Sequence, residues 1–202
     1  MLEIISSKAF KTIPWKNGLG ETTELAINDH ASLDNFIWRL SIASVVNDGV
    51  FSDFSGYHRN LVLIDGNGLS LHHDDKSVDV LENILDMASF DGGCITQGHL
   101  FNGPIKDFNI ITDNNEVTPQ VHCYIAPQQV VMNLSKTSLC FAYSLLDEMH
   151  VETSQKEKTL VSAGHLVKLS TADEALNTQE LSVAITGKNM IIVQLELKSI
   201  EK

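Results

Sequence analysis

Hydrophobic and polar residues alternate along much of this chain, in short runs that are separated by Gly and Pro turns. Residues 36–46 form the longest early run, in which Arg39 shares a face with Ser41 and Trp38 falls on the opposite face. Residues 59–65 carry apolar side chains on both faces, which is typical of a strand that is buried between two layers or lines a barrel. The pattern therefore predicts an all-β sandwich or barrel.

Most of the remaining chain also divides into short predicted strands. They lie at residues 21–28, 69–73, 78–81, 120–126, 128–134, 138–146, 159–162, 165–170, 181–186 and 189–198. Residues 10–20 contain Pro14 and Gly turn signals, and residues 90–103 are rich in Gly, so both are expected to be loops, the second across a barrel mouth. The least strand-like segments, 82–89 and 171–178, are expected to hold a helical turn.

Residues 49–68 combine a Gly-bounded loop, a compact turn of Phe and Gly, a strand and a Gly-x-Gly turn. Arg59 is the only permanent positive charge in this stretch, and it stands at the start of the strand, where a barrel cavity would open. This combination predicts a small-molecule pocket in a β-barrel.

Arg39 and Arg59 are the only two arginines among 14 basic residues, and both lie in predicted strands. A guanidinium group suits planar, bidentate contact with a carboxylate, so the two arginines could hold an anionic ligand. An internal salt bridge to one of the chain's own acids fits the same half-buried placement. The sequence leaves both explanations open.

Composition and charge exclude several classes of protein. In a chain of 202 residues, a hydrophobic content of 43% is that of a globular protein with a substantial core. The start of the sequence does not resemble a signal peptide, and no apolar run is long enough for a membrane span, so we expect a cytoplasmic protein without membrane association. The net charge of −12 argues against a nucleic-acid surface.

Metal binding and nucleophilic catalysis are not indicated. The stretch before Arg59 contains one histidine, His58, with no partner at ligand spacing, and the adjacent His72 and His73 would point to opposite faces of a strand. The three cysteines are too scattered for a metal knuckle, and no Gly-x-Ser-x-Gly elbow is present. We therefore expect no metal, no cofactor and no catalytic residue.

Several motifs in the first 115 residues together resemble the HutD/Ves family. They occupy residues 14–20 (Pro-Trp-Lys-Asn-Gly-Leu-Gly), 38–43 (Trp-Arg-Leu-Ser-Ile-Ala), 49–56 (Gly-Val-Phe-Ser-Asp-Phe-Ser-Gly), 66–68 (Gly-Asn-Gly), 90–92 (Phe-Asp-Gly), 103–104 (Gly-Pro) and 107–109 (Asp-Phe-Asn). Their combination in this order is far more specific than a single Gly-x-Gly pattern. The sequence departs from the family pattern at Leu19, where family members usually carry a third glycine, which affects the expected shape of that loop.

The resemblance implies an RmlC-like cupin fold with two jelly-roll β-barrels packed in one chain, a bicupin. We expect residues 1–115 to carry the family motifs and the pocket loops, and residues 116–202 to complete the second barrel, with the halves intertwined as one compact unit. The resemblance also implies a link to histidine utilisation, with formylglutamate or formiminoglutamate as the ligand. The Ves branch implies a role in cold or stress response instead.

The motifs that carry the resemblance also supply the candidate pocket. The predicted ligand-binding residues are Trp15, Asn17, Gly18, Gly20, Glu24, Arg39, Ser41, Phe51, Arg59, Asp107 and Asn109. Trp15 offers a flat apolar wall, Arg39 and Arg59 could hold carboxylates, and Asp107 and Asn109 could accept hydrogen bonds from an amide or formimino group. A small dicarboxylate with a polar nitrogen substituent fits this set.

The leading hypothesis is a metal-independent cupin that binds a small anionic metabolite in a regulatory role and is not an enzyme. The alternative is a cupin isomerase, hydrolase or dioxygenase that acts on a small carboxylate, in which Glu24 and Asp107 would be candidates for acid–base chemistry. A third hypothesis is that the protein is a protein–protein adaptor. Self-association into a homodimer stays open.

Overall fold

The all-β prediction is confirmed in the computed structural model. The model describes residues 1–15, 20–33, 35–154, 156–171 and 181–198. Within these ranges, every regular element is a β-strand except for one 3-10 turn at Ser7–Ala9. The described part of the chain holds no helix that is long and apolar enough to cross a membrane. The chain divides into two compact units, Phe10–Asn115 and the combination of Met1–Ala9 with Glu116–Lys202.

The unit Phe10–Asn115 is built from two antiparallel sheets. Its strands are β2 (Lys11–Pro14), β3 (Gly20–Ile27), β4 (Trp38–Val45), β5 (Gly49–Val50), β6 (Tyr57–Asp65), β7 (Leu69–His73), β8 (Ser77–Leu81), β9 (Met87–Asp91), β10 (Thr96–Leu100) and β11 (Ile105–Asp113). The larger sheet has the order β2-β3-β4-β11-β6-β9, and the smaller has the order β5-β10-β7-β8. Strands β2, β3 and β4 are neighbours in the larger sheet, whereas β11 lies between β4 and β6. Residues distant in sequence therefore lie side by side on β4, β11 and β6.

The core of this unit follows from the alternation of the strands. Leu61 and Leu63 of β6 join a cluster of buried apolar residues that includes Leu69 and Leu71 of β7. Val62, on the opposite face of β6, is buried as well. The sequence prediction of a strand with two buried faces is therefore correct, and burial of these aliphatic side chains stabilises the unit by roughly 25 cal/mol per Å².

The second unit repeats the arrangement of a larger and a smaller antiparallel sheet. Its strands are β1 (Leu2–Ile5), β12 (Val117–Tyr124), β13 (Gln128–Leu134), β14 (Ser138–Ser144), β15 (Met149–Thr153), β16 (Lys156–Val161), β17 (Leu166–Ser170), β18 (Leu181–Gly187) and β19 (Met190–Leu197). The sheet orders are β1-β17-β14-β19-β12 and β13-β18-β15-β16. Because β1 pairs with β17, the segment Met1–Ala9 belongs to this unit rather than to the one that follows it in sequence.

The two loop predictions were wrong in part, for reasons that the pairing explains. Within residues 10–20, β2 forms the edge of the larger sheet, where Pro14 is tolerated because an edge strand leaves part of its backbone unpaired. Within residues 90–103, β10 pairs with β5 and β7 despite Gly98, beside which the Phe51 ring packs so closely that an added Cβ would lie 2.5 Å from it. Glycine there allows a close approach rather than a loop.

The predicted helical turns are not seen where the structure describes the chain. Residues 82–86 form a tight connection in which the Asp86 carboxylate accepts hydrogen bonds from the backbone N–H groups of Glu82 and Asn83, at 2.9 and 2.8 Å. Most of the second segment, 171–178, lies outside the described residues. Strand β15 was missed, although the buried Met149 and Val151 alternate with the polar His150 and Glu152 as in a half-buried strand.

Candidate functional site

A cavity of about 510 Å³ opens in the unit Phe10–Asn115, and this volume is within the range of small-molecule sites. Six of the predicted ligand-binding residues line it: Trp15, Arg39, Ser41, Phe51, Arg59 and Asn109. Ile13, Leu33 and Val50 also line it, and each of these is exposed, so they form an apolar rim. The cavity thus has an apolar opening and a buried polar wall.

Pairing of β4, β11 and β6 brings the two arginines into one row across the larger sheet. Ile111 of β11 is in register with Arg39 on one side and with Arg59 on the other. The strands that carry the arginines are therefore separated by a single strand, and both side chains line the cavity. Two residues along these strands, on the same face of the sheet, Ser41 is in register with Asn109, so these two polar groups lie beside the arginines.

Arg59 is buried and only partly bonded. Its Nη2 donates to Oδ1 of Asn109 at 2.8 Å, and its Nη1 lies 3.5 Å from the carbonyl oxygen of Ser52. Its Nε has no hydrogen-bond partner among the described residues. Burial lowers the pKa of Arg59 to about 10, which still leaves the guanidinium charged at neutral pH. A buried cation with an unpaired donor can hold an anion.

Three aromatic rings surround the guanidinium of Arg59. The centroids of Phe51, Phe54 and Phe90 lie 5.4, 5.4 and 5.3 Å from its Cζ. Cation–π contact of this kind is worth about 0.5–2 kcal/mol per ring and restricts the orientation of the side chain. The sequence analysis missed Phe54 and Phe90 as site residues, although both lie in motifs that it had singled out.

Behind Arg59, Asn109 links the guanidinium to Asp107. The Nδ2 of Asn109 donates to Oδ1 of Asp107. Asp107 is fully buried, does not line the cavity, and leaves Oδ2 without a partner among the described residues. Burial raises the pKa of Asp107 to about 7, against the opposing effect of the Arg59 charge. Asp107 is therefore placed to act on the site through Asn109 rather than by contact with a ligand.

Arg39 forms an internal salt bridge and also lines the cavity, so both explanations that the sequence left open apply to it in part. Its Nε donates to Oε2 of Glu24 at 3.0 Å, so the chain supplies an internal carboxylate partner. The side chain nevertheless lines the cavity, while Glu24 does not. A β-bulge after Glu24, where the register with β4 shifts, accompanies this placement of the carboxylate. One edge of the guanidinium is thus engaged by Glu24, which weakens Arg39 as an anion site relative to Arg59.

Trp15 is held in the wall of the cavity by β3. Its Nε1 donates to Oγ1 of Thr22 at 2.7 Å, and its backbone N–H donates to the carbonyl oxygen of Gly20 at 2.9 Å. Gly20 does not line the cavity, but a Cβ there would lie 2.3 Å from the carbonyl oxygen of Ser44 and 2.9 Å from the Trp15 ring. Gly20 thus permits this packing. The predicted residues Asn17 and Gly18 lie outside the described residues.

Replacing Gly20 with Ala should disturb this wall without changing any polar group. The methyl group would force β3 away from Ser44 or displace the Trp15 ring, at a cost of about 1–3 kcal/mol in the free energy of unfolding. Chemical denaturation followed by tryptophan fluorescence measures this loss. Gly49→Ala is the matched control, because its Cβ would have no neighbour within 4 Å. Equal stability of the two variants would contradict the proposed packing.

Two histidines in the smaller sheet of this unit, His73 and His99, make local polar contacts. His73 lies 2.9 Å from Oγ1 of Thr96 and 3.1 Å from Oδ2 of Asp79, through its two ring nitrogens. His99 lies 3.2 Å from Oδ2 of Asp48, at the edge of the cavity. In the described ranges, no group of three or more His, Cys, Asp or Glu side chains is arranged to hold a metal ion.

Sequence comparisons match this chain to a known protein family. The family model described as HutD matches residues 7–192. An uncharacterised 21.2 kDa protein in the hutC 3′ region of Pseudomonas putida is 31% identical over 180 residues, which cover 88% of this chain and 92% of that protein. Protein Ves of Escherichia fergusonii is 36% identical over 108 residues, or 53% of this chain and 56% of that protein.

Solved structures agree with the sequence matches. HutD from Pseudomonas fluorescens SBW25, solved in a formate condition, superposes with a TM-score of 0.81 at 25% identity, covering 98% of this chain and 100% of that one. A cupin 2 conserved barrel domain protein from Leptotrichia buccalis superposes with a TM-score of 0.55 at 8% identity, covering 97% and 96%. The second match concerns the fold alone, and it supports a cupin-like fold for this chain.

Proposed function

The chain belongs to the HutD family, and on that basis we propose that it binds a small carboxylate metabolite in the cavity beside Arg59. The observation that carries the proposal is a buried guanidinium that lines a cavity of about 510 Å³ and keeps an unpaired donor. Such a group is costly to bury without a full set of hydrogen bonds, and Asp107 reaches it only through Asn109, so an anion from solution would supply a directly contacting carboxylate.

The lining of the cavity favours an anion with further polar atoms and a short carbon chain. Asn109 and Ser41 can exchange hydrogen bonds with an amide or formimino group, and Arg39 can hold a second carboxylate with the edge not engaged by Glu24. Trp15 and the apolar rim suit methylene groups. Formylglutamate has this combination. The Pseudomonas putida relative, named for its position 3′ of hutC, supports a role in histidine utilisation.

The proposed role is regulatory and independent of metal, with the protein acting in the cytoplasm as a sensor of its ligand. Each unit packs a larger and a smaller antiparallel sheet around an apolar core, which supports two jelly-roll barrels and hence a bicupin. The cavity lies in the unit Phe10–Asn115, and that unit is the proposed sensor barrel.

A thermal-shift screen tests the proposal. The purified protein is heated with N-formyl-L-glutamate, formiminoglutamate, glutarate and, as an uncharged control, glutaramide. Saturating carboxylate should stabilise the protein by about 1–3 kcal/mol, because a ligand that binds only the native state lowers its free energy by RT ln(1 + L/Kd), where L is the free ligand concentration. Glutaramide should give little shift.

Two outcomes would count against this function. No stabilisation by any carboxylate would remove the proposed ligand class. A stoichiometric transition metal in the purified protein, detected by elemental analysis, would favour the alternative of a cupin enzyme. The residues that bind the metal, rather than Arg59, would then be the candidate site.

A further inference from the structure

A continuous chain of buried polar groups leads from the cavity wall into the core. Arg59 donates to Asn109, and Asn109 donates to Asp107. Arg59 and Asn109 line the cavity, whereas Asp107 lies behind them and has no contact with it. All three are buried, with exposed fractions of 4%, 4% and 0%. A charge that arrives at Arg59 is therefore close to Asp107, with little solvent to screen it.

Arg59 is the charged group that acts on Asp107 in the described part of the chain. On the flanking strands, Asp107 is in register with Ala43 of β4 and Leu63 of β6, neither of which is charged. On its own strand, the neighbouring Lys106 is exposed and lies 3.9 Å from Asp65. Arg39 has its own partner in Glu24. On the facing strand β7, the buried His73 lies against Phe90, and its ring nitrogens contact Thr96 and Asp79. Asp107 and Arg59 thus form a pair of opposite charges joined by Asn109.

The charge balance between Asp107 and Arg59 differs between the empty and the occupied cavity. With the cavity empty, an ionised Asp107 balances the buried charge of Arg59. A carboxylate bound to Arg59 neutralises the guanidinium charge in place of Asp107. An ionised Asp107 would then have an unpaired Oδ2 and lie near a second negative charge. Such a buried carboxylate without a counter-charge is strongly disfavoured, so it should gain a proton.

We propose that Asp107 takes up a proton from solvent when a carboxylate binds at Arg59, so that the affinity of the site depends on pH. The inference rests on the proposed function and adds a regulatory property to it. Each binding event takes up one ligand anion and up to one proton. The proton is held on the Asp107 carboxyl, and no covalent bond to the ligand is made.

The direction of the pH dependence follows from the environment of Asp107. Burial raises its pKa to about 7 in the empty site, and the bound anion should raise that pKa further. Below about pH 7 the carboxyl is already protonated, so affinity should be constant. Above about pH 7 binding requires proton uptake, so affinity should fall by up to about tenfold per pH unit.

Isothermal titration calorimetry with N-formyl-L-glutamate, and glutarate as a second probe, tests this linkage. Titrations at about pH 6.5 and about pH 8.5 should give a dissociation constant roughly tenfold larger at the higher pH. At the higher pH, two buffers with different ionisation enthalpies should report uptake of up to one proton per ligand. Asp107→Asn should bind with the same affinity at both pH values and without proton uptake. Asp65→Asn, which removes an exposed carboxylate, should keep the wild-type linkage.

A second measurement requires no variant. The carboxyl carbon of Asp107, followed by NMR in the wild-type protein, should titrate at higher pH in the presence of saturating probe than in its absence. An unchanged titration, or tight binding with pH-independent affinity, would overturn the inference and leave the proposed function intact. Failure of both probes to bind at either pH would overturn the proposed function as well.

Discussion

Arg59→Ala is expected to weaken carboxylate binding by about a hundredfold or more. The substitution removes the buried cation that the ligand is proposed to contact, and truncation of one member of a buried charge pair costs about 2–5 kcal/mol. Calorimetric titration with N-formyl-L-glutamate measures the loss. An Arg59→Ala variant that binds as tightly as the wild type would show that the ligand sits elsewhere.

A second substitution separates charge from geometry at the same position. Arg59→Ala also removes contacts with three phenylalanine rings and leaves Asp107 without its counter-charge, so the variant could be destabilised. Arg59→Lys keeps the positive charge but loses the planar fork, and it should weaken binding by an intermediate factor of about ten. Lys106→Ala, at an exposed position near the start of β11, is the matched control and should bind normally. Thermal unfolding of each variant establishes that it is folded.

Asp107→Asn is expected to change how stability depends on pH. The folded protein raises the pKa of Asp107 to about 7, well above its value of about 4 in the unfolded chain. The wild type therefore loses stability relative to the Asn variant as pH rises from about 4 to about 7. The loss is about 1.4 kcal/mol per pH unit, or about 4 kcal/mol in total, and it is complete above the folded-state pKa.

Urea unfolding at several pH values measures this effect. Both tryptophans of the chain, Trp15 and Trp38, lie in the unit Phe10–Asn115, so their fluorescence reports on the unit that contains Asp107. Asp65→Asn, at an exposed position, should follow the wild type across the same range. A stability difference between Asp107→Asn and wild type that does not change with pH would show that folding does not raise the pKa of Asp107.

The strands of this chain were largely predictable because local pattern determines them. Period-two alternation and turn residues located 128–134 and 69–73 at their observed bounds, and located most other strands within a few residues. Two of the missed strands, β2 and β10, were missed for the same kind of reason. Strand β2 contains Pro14 and strand β10 contains Gly98, and only the pairing of each strand explains why these residues are tolerated.

The arrangement of the site was less predictable because long-range pairing creates it. The sequence analysis identified Arg39, Arg59 and Asn109 by residue type and by resemblance. No local pattern showed that both arginines share a row with Ile111, or that Asp107 lies behind Asn109 instead of in the cavity wall. Strand order, which brings residues fifty positions apart into contact, sets these relations.

The most direct test of the account is a crystal structure of the protein soaked with N-formyl-L-glutamate. The expected result is a ligand carboxylate within hydrogen-bonding distance of the Arg59 guanidinium, inside the cavity that Trp15 and Ser41 also line. An ordered ligand bound elsewhere, with only water beside Arg59, would contradict it.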